Sequence, residues 1–157
     1  MKAGAGRAEI KFPVGFFPSE GFTKVLSLLY VRAFILDEQK TGFCLLSLEI
    51  TSLPEDEVNH LRDLLSNETG IKKDNCWITV THTFSAPHIL PQKQINSELM
   101  KRNITFHNII EAAAKESIKQ ALTNMAEARL SFGKSECLVN VNRDMNYQKV
   151  GGWVIAE

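Results

Sequence analysis

Two apolar runs stand out first. Leu28 to Leu36 is rich in β-branched and aromatic residues and is closed by the polar cluster Asp37-Glu38-Gln39-Lys40; Gly42 then opens a second run through Leu48 and Ile50. Two such runs about a short polar cluster predict a β-hairpin. The second run, Phe43-Cys44-Leu45-Leu46-Ser47-Leu48, barely alternates. That is the pattern of an interior strand covered on both faces by helices.

The period then changes from two to about four. Ser52 and Glu55 have capping-box spacing, Pro54 suits a first turn, Val58, Leu61, Leu64 and Leu65 share one face, and Gly70 is a stop signal. A helix over 54–68 is predicted. Cys76-Trp77-Ile78-Thr79-Val80 reads as the next strand, so 43–81 form a β-α-β unit with parallel strands. Beyond a loop with Pro87 and Pro91, the stretch from Ser97 to Met125 places Phe106, Ile110, Ala114, Ile118 and Leu122 at helical spacing, which predicts the longest helix.

The ends are less regular. Ala8 to Lys24 mixes short apolar pieces with Pro13, Gly15, Pro18 and Gly21, and reads as a first strand followed by a turn-rich loop. Arg129 to Val141 returns to strand character with Gly133 as a bulge, and Trp153-Val154-Ile155 reads as a further strand. The expected architecture is α/β: a mixed sheet with a central parallel β-α-β unit and helices packed on it, in a single domain spanning 1–157. A chain of 157 residues is the size of one such domain.

Composition narrows the partners. Eighteen basic residues balance eighteen acidic ones, so no net field gathers nucleic acid, and any ligand is recognised locally. The longest apolar runs fall far short of the ~20 residues of a membrane helix, and Met1 to Lys11 lacks a signal-peptide core. A soluble, cytoplasmic protein with no transmembrane segment is expected. Cys44, Cys76 and Cys137 are odd in number, widely spaced and set among apolar residues, which suits buried thiols better than disulfides or a metal knuckle.

Ligands of open α/β sheets bind beyond the carboxyl ends of the parallel strands. Glu49 lies near the end of one predicted parallel strand and His82 just past the end of the other. A carboxylate and an imidazole at one crevice can hold a metal or move a proton; alternatively they are a solvated strand end and a hydrogen-bonded loop histidine. His60 and His107 fall within predicted helices and read as ordinary helix residues.

Thr81-His82-Thr83-Phe84-Ser85-Ala86-Pro87 resembles the Thr-His-Thr-His-Ser-Gly/Ala-Pro segment of the neutral/alkaline ceramidases. Leu29-Tyr30-Val31-Arg32-Ala33-Phe34 is similar to that family's Leu-Tyr-Ala-Arg-Ala strand, Leu46-Ser47-Leu48-Glu49 to its Val-Ser-x-Asp, and Asn140-Val141-Asn142-Arg143 to its Asn-Arg segment. The resemblance runs in order from about Ala8 to Asp144, over the region that is the family's N-terminal α/β domain. It implies a zinc-dependent amide hydrolase of sphingolipid metabolism, or the N-terminal portion of one, acting on an N-acyl, lipid-like substrate.

By position the resemblance makes His82 a zinc ligand. It puts Phe84 where the family has a second, amide-binding histidine, and it gives Arg143 and Gly21 contacts with the substrate. Phenylalanine can neither donate a hydrogen bond nor take a proton, so the substrate or the chemistry differs there; His88, on the same loop, is a candidate replacement. The family's other metal ligands, a histidine, a glutamate and a tyrosine, lie downstream of its Asn-Arg segment, and Asp144 to Glu157 supplies no histidine. A fragment, a shortened homologue and a site completed by another subunit all fit. So does a non-catalytic small-molecule or lipid-binding module that kept the fold and lost the metal.

Overall fold

A run of small residues opens the chain, Lys2-Ala3-Gly4-Ala5-Gly6-Arg7-Ala8-Glu9, and in the computed structural model it is strand β1 (Lys2–Glu9). The structure describes residues 1–38, 41–91 and 97–137. β2 (Tyr30–Glu38) and β3 (Thr41–Leu48) form the expected antiparallel hairpin, with Val31 opposite Leu48. α1 (Glu55–Thr69) then leads to β4 (Cys76–Val80), which pairs parallel to β3 with Cys44 opposite Cys76. α2 (Ser97–Thr123) and a two-residue β5 (Ala126–Glu127) follow, giving the sheet order β4-β3-β2-β1-β5.

The expected α/β architecture is present: a single mixed sheet with helices packed on it. Several details differ. The first strand precedes the predicted one, because Ala and Gly have weak strand propensity and only packing against a helix selects β here. Residues 129–137 form no strand; all of them are exposed, so no apolar face holds them to the sheet. The rest of that predicted strand, with Val139 to Val141, and the segment Trp153-Val154-Ile155 lie outside the described residues.

α1 begins one residue later than predicted, with Pro54 as N-cap and no side-chain capping bond, so the Ser52–Glu55 box does not form. Glu55, Asp56 and Glu57 place negative charge on the first turn instead, where the helix dipole favours it. Gly70 ends the helix as expected, at φ 72° with its N–H on the Ser66 carbonyl.

Among the described residues, helices cover one face of the sheet and not the other. Val31, Ala33 and Ile35 of β2 and Cys44, Leu46 and Leu48 of β3 point into the core, where they meet Leu61 and Leu65 of α1 and Phe106, Ile110, Ala114, Ile118 and Ala121 of α2. Leu122, expected on that face, is displaced by Ala121 and is exposed. On the opposite face Ala5, Phe34, Leu45 and Trp77 line up across four strands, and Phe34 and Trp77 remain 38% and 59% exposed. The unbroken apolar run of β3 therefore supplies both a core face and a half-open one.

α2 lies directly against β1. A Cβ added at Gly4 would stand 2.1 Å from the Ala121 carbonyl oxygen, and one at Gly6 would stand 2.0 Å from that of Ser117. No side chain fits at either position, so backbone meets backbone. At the other end of the helix Phe106 stacks with Phe12 and Phe16 of the loop after β1, at centroid distances of 5.6 and 5.8 Å. That cluster fastens the turn-rich loop to the helix. Among the described residues no helix is long and apolar enough to cross a membrane.

Cys44 and Cys76 are buried as expected, but Cys137 is exposed. Burial pushes the Cys44 thiol up, and burial together with the neighbouring Cys44 pushes Cys76 up to about 11. A thiol reagent at about pH 8 should therefore modify Cys137 at once and the other two only on unfolding, since the thiolate is the nucleophile; three fast equivalents would contradict the packing.

Gly6→Ala should destabilise the fold by about 3 kcal/mol, at the upper end of overpacking costs, whereas Ala5→Ser on the open face should change stability by less than about 0.5 kcal/mol. Equal urea midpoints for the two variants would show that α2 does not press on β1.

Candidate functional site

Because β3 and β4 are adjacent and parallel, their carboxyl ends form one edge. Leu48 stands opposite Val80 and the Thr81 N–H donates to the Leu48 carbonyl at 2.9 Å, so Glu49 and His82 both emerge just beyond it. The structure thus brings both residues to the edge the sequence indicated. Glu49 is already engaged: Oε2 accepts from the Tyr30 N–H at 2.8 Å and Oε1 pairs with Arg32 Nη1 at 2.5 Å. Arg7 and Arg32 lie over the Tyr30 ring, 4.5 and 5.4 Å from its centroid. The carboxylate closes the start of β2 onto the end of β3.

His82 is held differently. Its φ is 59°, a left-handed conformation that costs a non-glycine residue about 1–3 kcal/mol. The imidazole is fixed by Nδ1, 2.9 Å from the Thr51 carbonyl oxygen, and the buried Thr51 in turn donates its hydroxyl to the Thr83 carbonyl at 2.5 Å. A carbonyl can only accept, so Nδ1 carries the proton and Nε2 keeps its lone pair. This is the tautomer a metal-ligating histidine needs. The exposed Phe84 ring stands edge-on to the imidazole at 5.0 Å.

The loop glycine and the second loop histidine also meet. Glu20 and Gly21 both have positive φ, 51° and 84°, in a turn closed by mutual backbone bonds between Ser19 and Phe22. A Cβ at Gly21 would touch nothing, so it is the backbone angle and not space that favours glycine there. The Glu20 carboxylate accepts from the His88 N–H at 3.2 Å and from its Nδ1 at 2.6 Å. Arg102 of α2 donates to the Pro18 carbonyl and anchors the same turn. Arg143 lies outside the described residues.

A hydrolytic zinc takes three protein ligands and an open position. At this edge the described residues present the His82 imidazole with Nε2 free; His88 is drawn to Glu20 through Nδ1, and Phe84 adds no ligand. Among the described residues the convergent set of metal-binding side chains is elsewhere, at His60, His107 and Glu111 between α1 and α2. Sequence reasoning treated these histidines as ordinary helix positions. Their one signal was spacing, Glu57-x-x-His60 and His107-x-x-x-Glu111, which puts each pair on one helix face. A cleft of about 710 Å³, between β1 and α2, is lined by Arg7, Glu9, Asn108 and Glu116 among others.

No family model and no curated protein matches the chain. Solved structures do. A ceramidase complexed with C2 superposes with a TM-score of 0.59 at 17% identity, over 79% of this chain and 21% of that one. The neutral ceramidase from Pseudomonas aeruginosa gives 0.56 at 18% identity, over 79% and 22%. The fold is ceramidase-like, and the chain spans about a fifth of the length of these structures.

The left-handed backbone at residue 82 makes a stability prediction. His82→Gly and His82→Ala both lose the bond to Thr51, but only alanine keeps the strained φ, so the glycine variant should be the more stable by about 1 kcal/mol in urea titrations. An alanine variant as stable as the glycine variant would mean that the loop relaxes out of this conformation.

Proposed function

We propose that this chain is the α/β portion of a ceramidase-like hydrolase acting on an N-acyl, lipid-like amide, with the β3–β4 edge as its substrate end. The ceramidase-like fold supports the class. The observation that carries the site is His82, held in a costly backbone conformation with its ring locked in the ligand-competent tautomer. A satisfied loop histidine gains nothing from such strain.

In this reading His82 is one ligand of the zinc that the family resemblance implies, and the remaining ligands come from outside the described residues. One imidazole does not make a hydrolytic centre, so no step of the reaction is routed through the metal. What the chain's own residues do is bind and orient. The Gly21 turn, tied to His88 through Glu20, forms one wall; Phe84 offers an exposed ring, 73% accessible, against which an acyl chain packs. The family resemblance gives Arg143, which lies outside the described residues, a contact with the substrate's polar group, a role suited to a guanidinium. Glu49, paired with Arg32, aligns the edge. Free buried thiols at Cys44 and Cys76 fit a reducing cytoplasmic location.

A non-catalytic binding module on the same edge is the second reading, favoured by Phe84 in place of a polar group. The two separate in one experiment: titration of a short N-acyl amide followed by amide NMR, with and without zinc, and with His82→Ala. The hydrolase reading expects shifts at Gly21, His82 and Phe84 that tighten with zinc in the wild type and not in His82→Ala. Binding indifferent to zinc and to His82 would leave the module, and no shifts at this edge would remove both.

A further inference from the structure

We infer that the α1–α2 interface is a second, separate metal site, of zinc type, with His60, His107 and Glu111 as its ligands and Glu57 as the group that positions His107. It is independent of His82 and of the hydrolase reading.

The donors converge from two helices. His60 Nε2 is 2.8 Å and His107 Nε2 3.5 Å from the same oxygen, Glu111 Oε2, the two imidazole rings are 4.8 Å apart, and the donor atoms of all three residues lie within 4.8 Å of one another. Tetrahedral zinc with bonds of about 2.0–2.2 Å separates its ligand atoms by about 3.3 Å, so side-chain shifts of up to about 1.5 Å, with the 2.8 Å pair opening slightly, form the site. Two nitrogens and one carboxylate are a donor set suited to zinc. The other oxygen of Glu111 accepts from Lys115 Nζ, which fixes the orientation of the carboxylate. His60 coordinates through Nε2 once its ring proton resides on Nδ1, and the metal bond replaces its hydrogen bond to Glu111.

The second observation is a buried carboxylate with one oxygen left unpaired. The Glu57 side chain is only 7% exposed; Oε2 accepts from His107 Nδ1 at 2.6 Å, while Oε1 is buried with no hydrogen-bond partner. A buried carboxylate with one oxygen unsatisfied is costly unless a cation stands close. With Nδ1–H given to Glu57, His107 is left with Nε2 for a metal, the carboxylate–histidine–metal arrangement that orients ligands in zinc sites. A divalent ion on His107 supplies the charge that Glu57 lacks. Glu57, His60 and His107 also line a cleft of about 250 Å³ with Asp56, Leu90 and Asn103, which leaves room for a fourth, non-protein ligand.

The test titrates metal-free 157-residue protein with Zn²⁺ and Co²⁺, alongside His82→Ala, His60→Ala, His107→Ala and Glu57→Gln. Circular dichroism without metal first establishes that each is folded; His60 and His107 are partly exposed, so their truncation spares the core. The expected result is a Zn²⁺ equivalent that raises Tm and gives low-coordinate Co²⁺ absorption in the wild type and in His82→Ala. His60→Ala and His107→Ala should each weaken it more than about 100-fold, and Glu57→Gln about 10–100-fold with the Co²⁺ bands retained. Folded wild type that takes up no Zn²⁺, or uptake unchanged in His60→Ala and His107→Ala, would overturn the inference; the latter result would reduce the cluster to an imidazolium–carboxylate ion pair.

Discussion

The rest of the structure depends on how closely α2 can approach β1. Gly4 and Gly6 leave the strand without side chains where the Ala121 and Ser117 carbonyls pass, and Ala113, Ala114, Ser117 and Ala121 keep the helix equally thin. A helix of larger residues would stand off the sheet by the depth of a side-chain layer. The core would then need to refill a gap for which the small residues of β1 supply no volume. Thinness on both sides is therefore one coupled choice.

From that contact the other placements follow. With α2 pinned at its middle and end, Phe106 in its earlier part collects Phe12, Phe16 and Phe17 into one aromatic cluster. The cluster and the Arg102–Pro18 bond fix the loop that carries Glu20 and Gly21, and Glu20 reaches His88 on the loop after β4. The same segment of α2 lies beside α1, where His107 and Glu111 meet Glu57 and His60. Both candidate sites are thus supported, directly or through a loop, by one helix whose position two glycines set.

How much of this was legible in the sequence varied with the range of the interaction responsible. The hairpin, the β-α-β unit and both helices were readable because each is fixed by local periodicity and stop signals, Gly70 among them. β1 was not, since Lys-Ala-Gly-Ala-Gly-Arg has no apolar period and becomes a strand only beneath a helix more than a hundred residues away. The open sheet face was misread because Phe43 to Leu48 looks alike whether the second face is covered or merely half-buried. His82 and Glu49 could be placed at one edge from strand order alone, but the Thr51 bond that sets the tautomer, and Arg32's hold on Glu49, join segments that no spacing rule connects. His60 and His107 are the extreme case: each is unremarkable on its own helix and acquires meaning only when the helices pair.

The two histidine sites differ in what the protein spends on them. At residue 82 the cost is in the backbone, a left-handed angle held by a buried threonine, and the product is one oriented nitrogen at an exposed edge. Between α1 and α2 the cost is electrostatic: Glu57 is buried with half its hydrogen-bonding capacity unused. Replacing it by a leucine would pack at least as well, so hydrophobic stability does not account for it. A carboxylate retained there makes physical sense if something positive is to sit beyond His107, because the imidazole relays the charge while its geometry is fixed by the 2.6 Å bond. Strain at one site and an unsatisfied charge at the other are both local departures from what folding alone selects, and departures of that kind are where function is to be sought.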